Sequence, residues 1–217
     1  MDTQARARVV SVNVGGVREV TYRGKPRTTA IWKDPVEGPV GVSNAGVVGD
    51  RQADPTAHGG PRKAVYLYGT DDLAWWEAEL GERVGPGTFG ENLTVAGVVI
   101  NDARIGEQWR VGSALLEVTQ PRFPCWKLGF RMGDPRFPKR FLEAGRAGTY
   151  VTVLSEGAVQ AGDAIEVVTR PTHPVTVGLV AHLNHADREL ALLLLQAAEA
   201  GISLDEWQDL LGQAGVG

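Results

Sequence analysis

Glycine and proline set the limits on what this chain can build. The chain contains 28 glycines and 12 prolines, most of them in the first 170 residues with short β-type runs between them. Residues 9–14 read as a buried strand closed by Gly15 and Gly16, followed by runs at 28–32, 64–68 and 92–95. Residues 108–111 lead through Gly112 and Ser113 into 114–119 as a hairpin, and runs at 149–154 and 164–168 close the series. Short strands bounded by turn residues predict a mostly β fold, a barrel or sandwich rather than a βαβ sheet. Two helices interrupt it. One is capped by Thr70 or Asp71 and stops at Gly81, and the other starts at Asp134 with Pro135 in its first turn.

The character changes after Pro174. Residues 175–214 lack proline, and Leu190, Leu193, Leu194 and Ala197 recur at helical spacing. Three short helices are expected at 176–184, 187–200 and 204–213, the last opened by the capping-box spacing of Ser203 and Glu206. The division is therefore a β domain over 1–170 and a small three-helix domain over 171–217. About forty residues cannot hold a large core alone, so the tail is expected to dock on the β domain or on another protomer, as in a homodimer.

The chain's single cysteine permits no intramolecular disulfide, which fits a reducing compartment. No stretch reaches the ~20 apolar residues of a membrane span. A soluble, cytoplasmic protein with no membrane partner is the expectation. The net charge of −4 speaks against nucleic acid, whereas basic residues gathered in particular loops point to a small anionic ligand.

That cysteine, Cys125, lies in Gln120-Pro121-Arg122-Phe123-Pro124-Cys125-Trp126-Lys127-Leu128. The prolines hold the backbone extended ahead of the thiol, and Arg122 and Lys127 favour its thiolate, a nucleophile and soft metal ligand. Packing between Phe123 and Trp126 is the competing role. A second segment, His58-Gly59-Gly60-Pro61-Arg62-Lys63, describes a tight loop with amides and cations suited to an anion. In a third, Gly85 to Thr94, Asn92 offers donor and acceptor together, for a heterocycle or for its own backbone. His173, His182 and His185 have no metal-type spacing.

In order and separation, these segments resemble the MOSC family, named for the C-terminal domain of molybdenum-cofactor sulfurases. The resemblance rests on Gly49-Asp50, His58-Gly59-Gly60-Pro61, Lys63-Ala64-Val65-Tyr66, residues 86–94, residues 106–112, residues 120–128 and Ala161-Gly162-Asp163, and covers nearly residues 9–170. The tail is similar to the three-helix extension of stand-alone bacterial members associated with resistance to 6-hydroxylaminopurine. The resemblance implies a barrel-like fold and a bound molybdenum cofactor of molybdopterin type. It makes Cys125 the metal or sulfur ligand and catalytic residue. The cofactor's phosphate falls to the Gly59 and Gly60 amides, Arg62, Lys63 and Arg122 and its pterin to Asn92, His58 is a further cofactor-binding residue, and Lys127 supports the thiolate. Arg51 and Arg62 depart from the family's usual residues, which leaves Lys63 the firmer cation.

Two activities follow from the resemblance. One is a molybdenum-dependent reductase of N-hydroxylated small molecules. Since one cysteine cannot bind an iron–sulfur cluster, it would draw electrons from a separate flavin-type reductase. The other is a non-redox carrier of the cofactor or of persulfide sulfur on Cys125.

Overall fold

The computed structural model describes residues 6–54 and 59–200. Its strands are β1 (Arg8–Val14), β2 (Arg18–Tyr22), β3 (Lys25–Thr29), β4 (Asp34–Val36), β5 (Val40–Ser43), β6 (Gly46–Val47), β7 (Val65–Gly69), β8 (Leu93–Ala96), β9 (Gln108–Val111), β10 (Ala114–Pro121), β11 (Thr149–Ser155), β12 (Gly157–Val159) and β13 (Ile165–Thr169). The helices are α1 (Thr70–Leu80), α2 (Trp126–Arg131), α3 (Phe137–Glu143), α4 (Val177–Ala186) and α5 (Arg188–Ala200). The fold is dominated by an eight-stranded sheet in the order β13-β9-β10-β11-β7-β8-β1-β4, with a three-stranded sheet β12-β5-β6 and a separate β2-β3 hairpin.

The ends of the large sheet approach one another. Arg8 bridges Ala164, the Val9 amide donates to Asp163 O, and the Ile165 amide donates to Ala7 O. This is a single bridge flanked by hydrogen bonds, short of a full ladder.

One pairing departs from the sequence expectation. β7 and β8 run parallel, joined through α1, so a βαβ unit sits inside an otherwise antiparallel sheet. Parallel strands need a long crossover, and α1 supplies it by burying Leu73 and Trp76 against the sheet. Its end is as expected: Gly81 adopts the left-handed conformation and its amide donates to Glu77 O.

β7 is buried on both faces, and its period of two divides the molecule's interior. Val65 and Leu67 enter an aliphatic core filled by the other strands, while Tyr66 and Tyr68 enter an aromatic core with Trp76, Phe89, Phe137 and Phe141. Val177, Val180, Leu183, Ala191 and Leu194 extend the aliphatic core, so α4 and α5 dock on the sheet. The Ile105 amide donates to Val175 O and the Val177 amide to Ala103 O, fixing the approach of the tail. The helix expected at 204–213 lies outside the described residues.

Three local differences bear on the site. The strand expected at 28–32 ends at Thr29, whose Oγ1 accepts the Ile31 amide and turns the chain out of β3. The second helix starts later than expected: Asp134 Oδ1 caps a turn through the Arg136 amide, and α3 begins at Phe137. A short helix, α2, follows Cys125 directly, in a stretch with no apolar periodicity.

Candidate functional site

Beyond the ends of β7, β10 and β11 lies an open cleft. Lys33, Asp50, Arg51, Gln52, Lys63, Tyr66, Asn92, Arg122, Cys125, Lys127 and Tyr150 all contribute to its walls. Cys125, Lys63, Asn92, Arg122 and Lys127 stand out in three separate segments of the sequence, and the fold brings them to this one cavity.

The cysteine wall is built from the end of β10. Pro121 is still in register with Thr149 of β11, and after it the chain leaves the sheet. Pro124 keeps the backbone extended through Cys125 (φ −132°, ψ −176°), and the Cys125 carbonyl then accepts the Leu128 amide at the start of α2. Cys125 is half-buried and in no disulfide.

Arg122 is buried beneath it. Its Nη1 donates to Phe89 O, and its guanidinium lies 5.0 Å from the Tyr66 ring centroid and 5.9 Å from that of Phe141. Burial works to lower the Arg122 pKa, but Tyr66, Tyr150 and Cys125 together raise it above its ordinary value, so the side chain stays cationic inside the protein. Burial pushes the Tyr150 phenol up as well, leaving it protonated at neutral pH where it lines the cleft.

The floor is a network that the sequence did not reveal. Lys33 Nζ pairs with Asp50 Oδ2, and both side chains are about 8% exposed. Asp50 also accepts the Gly15 amide (2.8 Å) and Asn92 Nδ2 (2.9 Å). Burial lowers the Lys33 pKa, opposed by the Asp50 carboxylate. Two glycines allow the Lys33 segment to sit this low: a side chain on Gly15 would collide with Trp32 O, and one on Gly87 (φ +79°) with Lys33 O. Seventeen residues separate Lys33 from Asp50 and no pattern links them, so only the fold could pair them.

Asn92 behaves differently from its expected role. Its Oδ1 accepts the Tyr66 amide (3.1 Å), and its Nδ2 serves Asp50 and Asn13 O. Both ends of the amide are thus committed to the protein, and Asn92 shapes the wall by holding Asp50 and β7. Its neighbour Glu91 is fully buried and accepts the Gly87 and Phe89 amides and the Thr94 hydroxyl, which fixes the loop whose Phe89 carbonyl receives Arg122.

The glycine loop divides between two places. Lys63 faces the cleft, and Gly60 (φ +99°) lines an adjoining depression that shares Asp50, Arg51 and Gln52. Gly59, half-buried, precedes it without contributing to either lining. Arg62 points elsewhere: Nη2 donates to Thr119 O while the Thr119 hydroxyl donates to Arg62 O, so the residue ties its loop to β10 outside the cleft lining. His58 lies outside the described residues. Arg51, in sequence a departure from the family's usual residues, joins the site, and so do Tyr66 and Tyr150. The two tyrosines alternate with core residues on their strands, and nothing local marks the cleft-facing side.

The donor set is that of a site for an anionic ligand beside one thiol. Among the described residues, no cluster of three His, Cys, Asp or Glu side chains could hold a metal by itself.

The domain is sheet-dominant with a basic, cysteine-bearing cleft at its strand ends, and sequence comparison says to which family it belongs. Residues 54–166 match the MOSC domain, and the chain belongs to that family. It is 34% identical over 206 residues to the uncharacterized protein YflK of Bacillus subtilis, covering 94% of this chain and 93% of YflK. A Gibberella moniliformis protein named Reductase is 36% identical over 167 residues, which is 75% of this chain but 29% of that protein. The crystal structure of YiiM from Geobacillus stearothermophilus superposes with a TM-score of 0.72 at 29% identity, covering 97% of this chain and all of that one. No helix among the described residues is long and apolar enough to cross a membrane.

Proposed function

We propose that this protein binds a molybdenum cofactor in the cleft and reduces N-hydroxylated small molecules with electrons from a separate flavoprotein. The observation that carries the reading is the convergence of Cys125 with Lys63, Lys127, Arg51 and Arg122 on one cavity. A pterin-bound metal presents a soft centre and a phosphate, and this donor set matches both. Cys125 would hold the metal, and Lys63, Lys127 and Arg51 the phosphate. When bound, the cofactor supplies two-electron oxygen-atom chemistry.

The chain's own residues account for the rest. Arg122 places a fixed positive charge under the thiol, and the Lys33–Asp50–Asn92 network holds that wall rigid. Tyr150 presents a protonated hydroxyl to the cleft, suited to giving a hydrogen bond to the oxygen of an N–OH group. Each turnover breaks the N–O bond: the hydroxylamine takes up two electrons and two protons to give the amine and water, and a flavin hydroquinone oxidised to the quinone supplies both. The relative named Reductase supports the redox reading, and about seven tenths of its length has no counterpart in this chain, consistent with an electron source elsewhere.

Protein purified from a host that makes molybdenum cofactor is expected to contain molybdenum and pterin, and to reduce 6-hydroxylaminopurine when a flavin reductase is added. Cys125→Ser is expected to lose both the metal and the activity. Protein free of molybdenum sinks the reading. Metal without any N-hydroxyl reduction turns it toward a carrier of cofactor or sulfur.

A further inference from the structure

Two segments of this acidic chain are rich in cations, one of which, Arg122, is buried. Residues 17–32 and 121–140 hold ten of the chain's 22 lysines and arginines but two of its 26 carboxylates. The remaining residues therefore carry twelve cations against 24 carboxylates. The two basic segments are far apart in sequence and adjacent in space. Tyr22 of the β2-β3 hairpin stacks on Trp126 of α2 with ring centroids 4.4 Å apart, and Phe130 meets both Tyr22 and Trp32 edge-on.

These rings hold like charges together. Arg18 and Arg131 both lie 5.5 Å from the Trp32 ring, and Arg23 lies 5.4 Å from that of Tyr22. The Arg131 pKa is lowered, first by burial and then by the Arg18 charge, with Asp34 and Glu91 opposing. Arg23, Lys25 and Arg27 are exposed at the hairpin tip, and no acidic side chain among the described residues pairs with them. Assembling such a patch costs stability through self-repulsion, and the exposed pairs Arg18–Asp34, Arg136–Asp134 and Lys139–Glu143 offset only part of it. Its position follows from Trp126, the residue next to Cys125: the patch borders the cleft.

We infer that the β2-β3 hairpin and α2 form the docking surface for an acidic electron-donor protein, whose arrival places its reduced flavin at the mouth of the cleft. The inference rests on the reductase reading given above. A nucleic acid fits less well, because the Tyr22 and Trp126 faces are already stacked on each other and the acidic remainder of the chain repels an extended polyanion. Opposed charge over a small area is what steers fast, transient encounters between proteins.

The test uses the cofactor-loaded protein with reduced flavodoxin, an acidic FMN protein, as the probe. For Arg23→Glu/Lys25→Glu/Arg27→Glu, flavodoxin binding by calorimetry at low salt is expected to weaken at least tenfold. The KM for flavodoxin is expected to rise by a similar factor, while turnover driven by dithionite and methyl viologen is unchanged. The milder Arg23→Gln/Lys25→Gln/Arg27→Gln variant should fall between, and matching thermal melts show that the hairpin remains folded. Unchanged flavodoxin affinity in the Glu variant, no flavodoxin binding by the parent protein, or tighter binding of an oligo-dT strand than of flavodoxin each overturns the docking surface. Absence of N-hydroxyl reduction with either donor is a different failure: it removes the reductase reading and leaves the binding result to judge the surface.

Discussion

The molecule contains two clusters of aromatic rings, built from the same chemistry and placed to opposite ends. Tyr68, Trp76, Phe89, Phe137 and Phe141 are buried between the sheet, α1 and α3, with ring centroids 4.9–6.3 Å apart. Tyr22, Trp32, Trp126 and Phe130 are only half-buried and carry arginines against their faces. The first cluster removes apolar area from water and so contributes to stability in proportion to that area. The second leaves much of its area wet and spends its geometry on positioning charge. Rings that pack on rings hold a fold together, whereas rings that pack on cations at a rim arrange a surface.

Substitutions can break this contrast. Trp76→Ala is expected to cost about 3–5 kcal/mol, since it empties a fully buried site and strips the Tyr68 hydroxyl of the Trp76 Nε1 donor. Chemical denaturation measures it, and a loss under 1 kcal/mol would mean that the buried cluster is not the structural one. Glu91→Gln should follow at about 2–3 kcal/mol, because it sets an amide group against the Gly87 and Phe89 amides that the carboxylate accepts. Burial raises the Glu91 pKa above its ordinary 4.5. Between that value and the raised one the folded state binds the extra proton, so the contribution of Glu91 falls as pH rises through the window. The stability gap between parent and Glu91→Gln should therefore narrow from acid toward neutral pH in parallel melts.

Effects in the rim cluster should be smaller and read out elsewhere. Trp126→Ala is expected to cost about 1–2 kcal/mol, yet to release the β2-β3 hairpin, seen as faster amide exchange across residues 18–29. Unchanged exchange would mean that the Tyr22 stack does not anchor the hairpin. Smallest of all, Arg18→Gln gives up an exposed pair with Asp34 and relieves repulsion with Arg131. A change within about 0.5 kcal/mol is expected, stabilising at low ionic strength and vanishing in salt.

The same contrast explains what could be read from sequence. Strands of the large sheet other than β4, with α1, α4 and α5, announced themselves because their apolar periods reflect burial against one continuous core. Cys125, Lys63, Arg122 and Lys127 stood out through unusual local company, prolines and cations around a lone thiol. Lys33 gave no such signal: its meaning comes from Asp50 across the cleft and from glycines that let the chain approach. Asn92 was noticed for its chemistry, but its bonds to Tyr66 and Asp50 turn that chemistry inward. α2 was missed because six residues are too few to show a period, and the parallel β7-β8 pair because its crossover resembles an isolated helix between hairpins.

The contact that brings the sheet's ends together has a consequence for how the protein is made. β1 leaves the ribosome early, but one side of Ala7–Val9 is satisfied only by Gly162 to Ile165. At translation rates of about 5–20 residues per second, that side waits roughly 10–30 seconds for its partner. Through that interval the nascent chain carries an unpaired strand edge, the kind of template on which neighbouring chains aggregate. Yield in a heterologous host should then depend on chaperone supply and synthesis speed more than on the stability of the finished protein. A fragment ended before Asp163 would be expected to collect in inclusion bodies, even though the walls of the cleft are already complete.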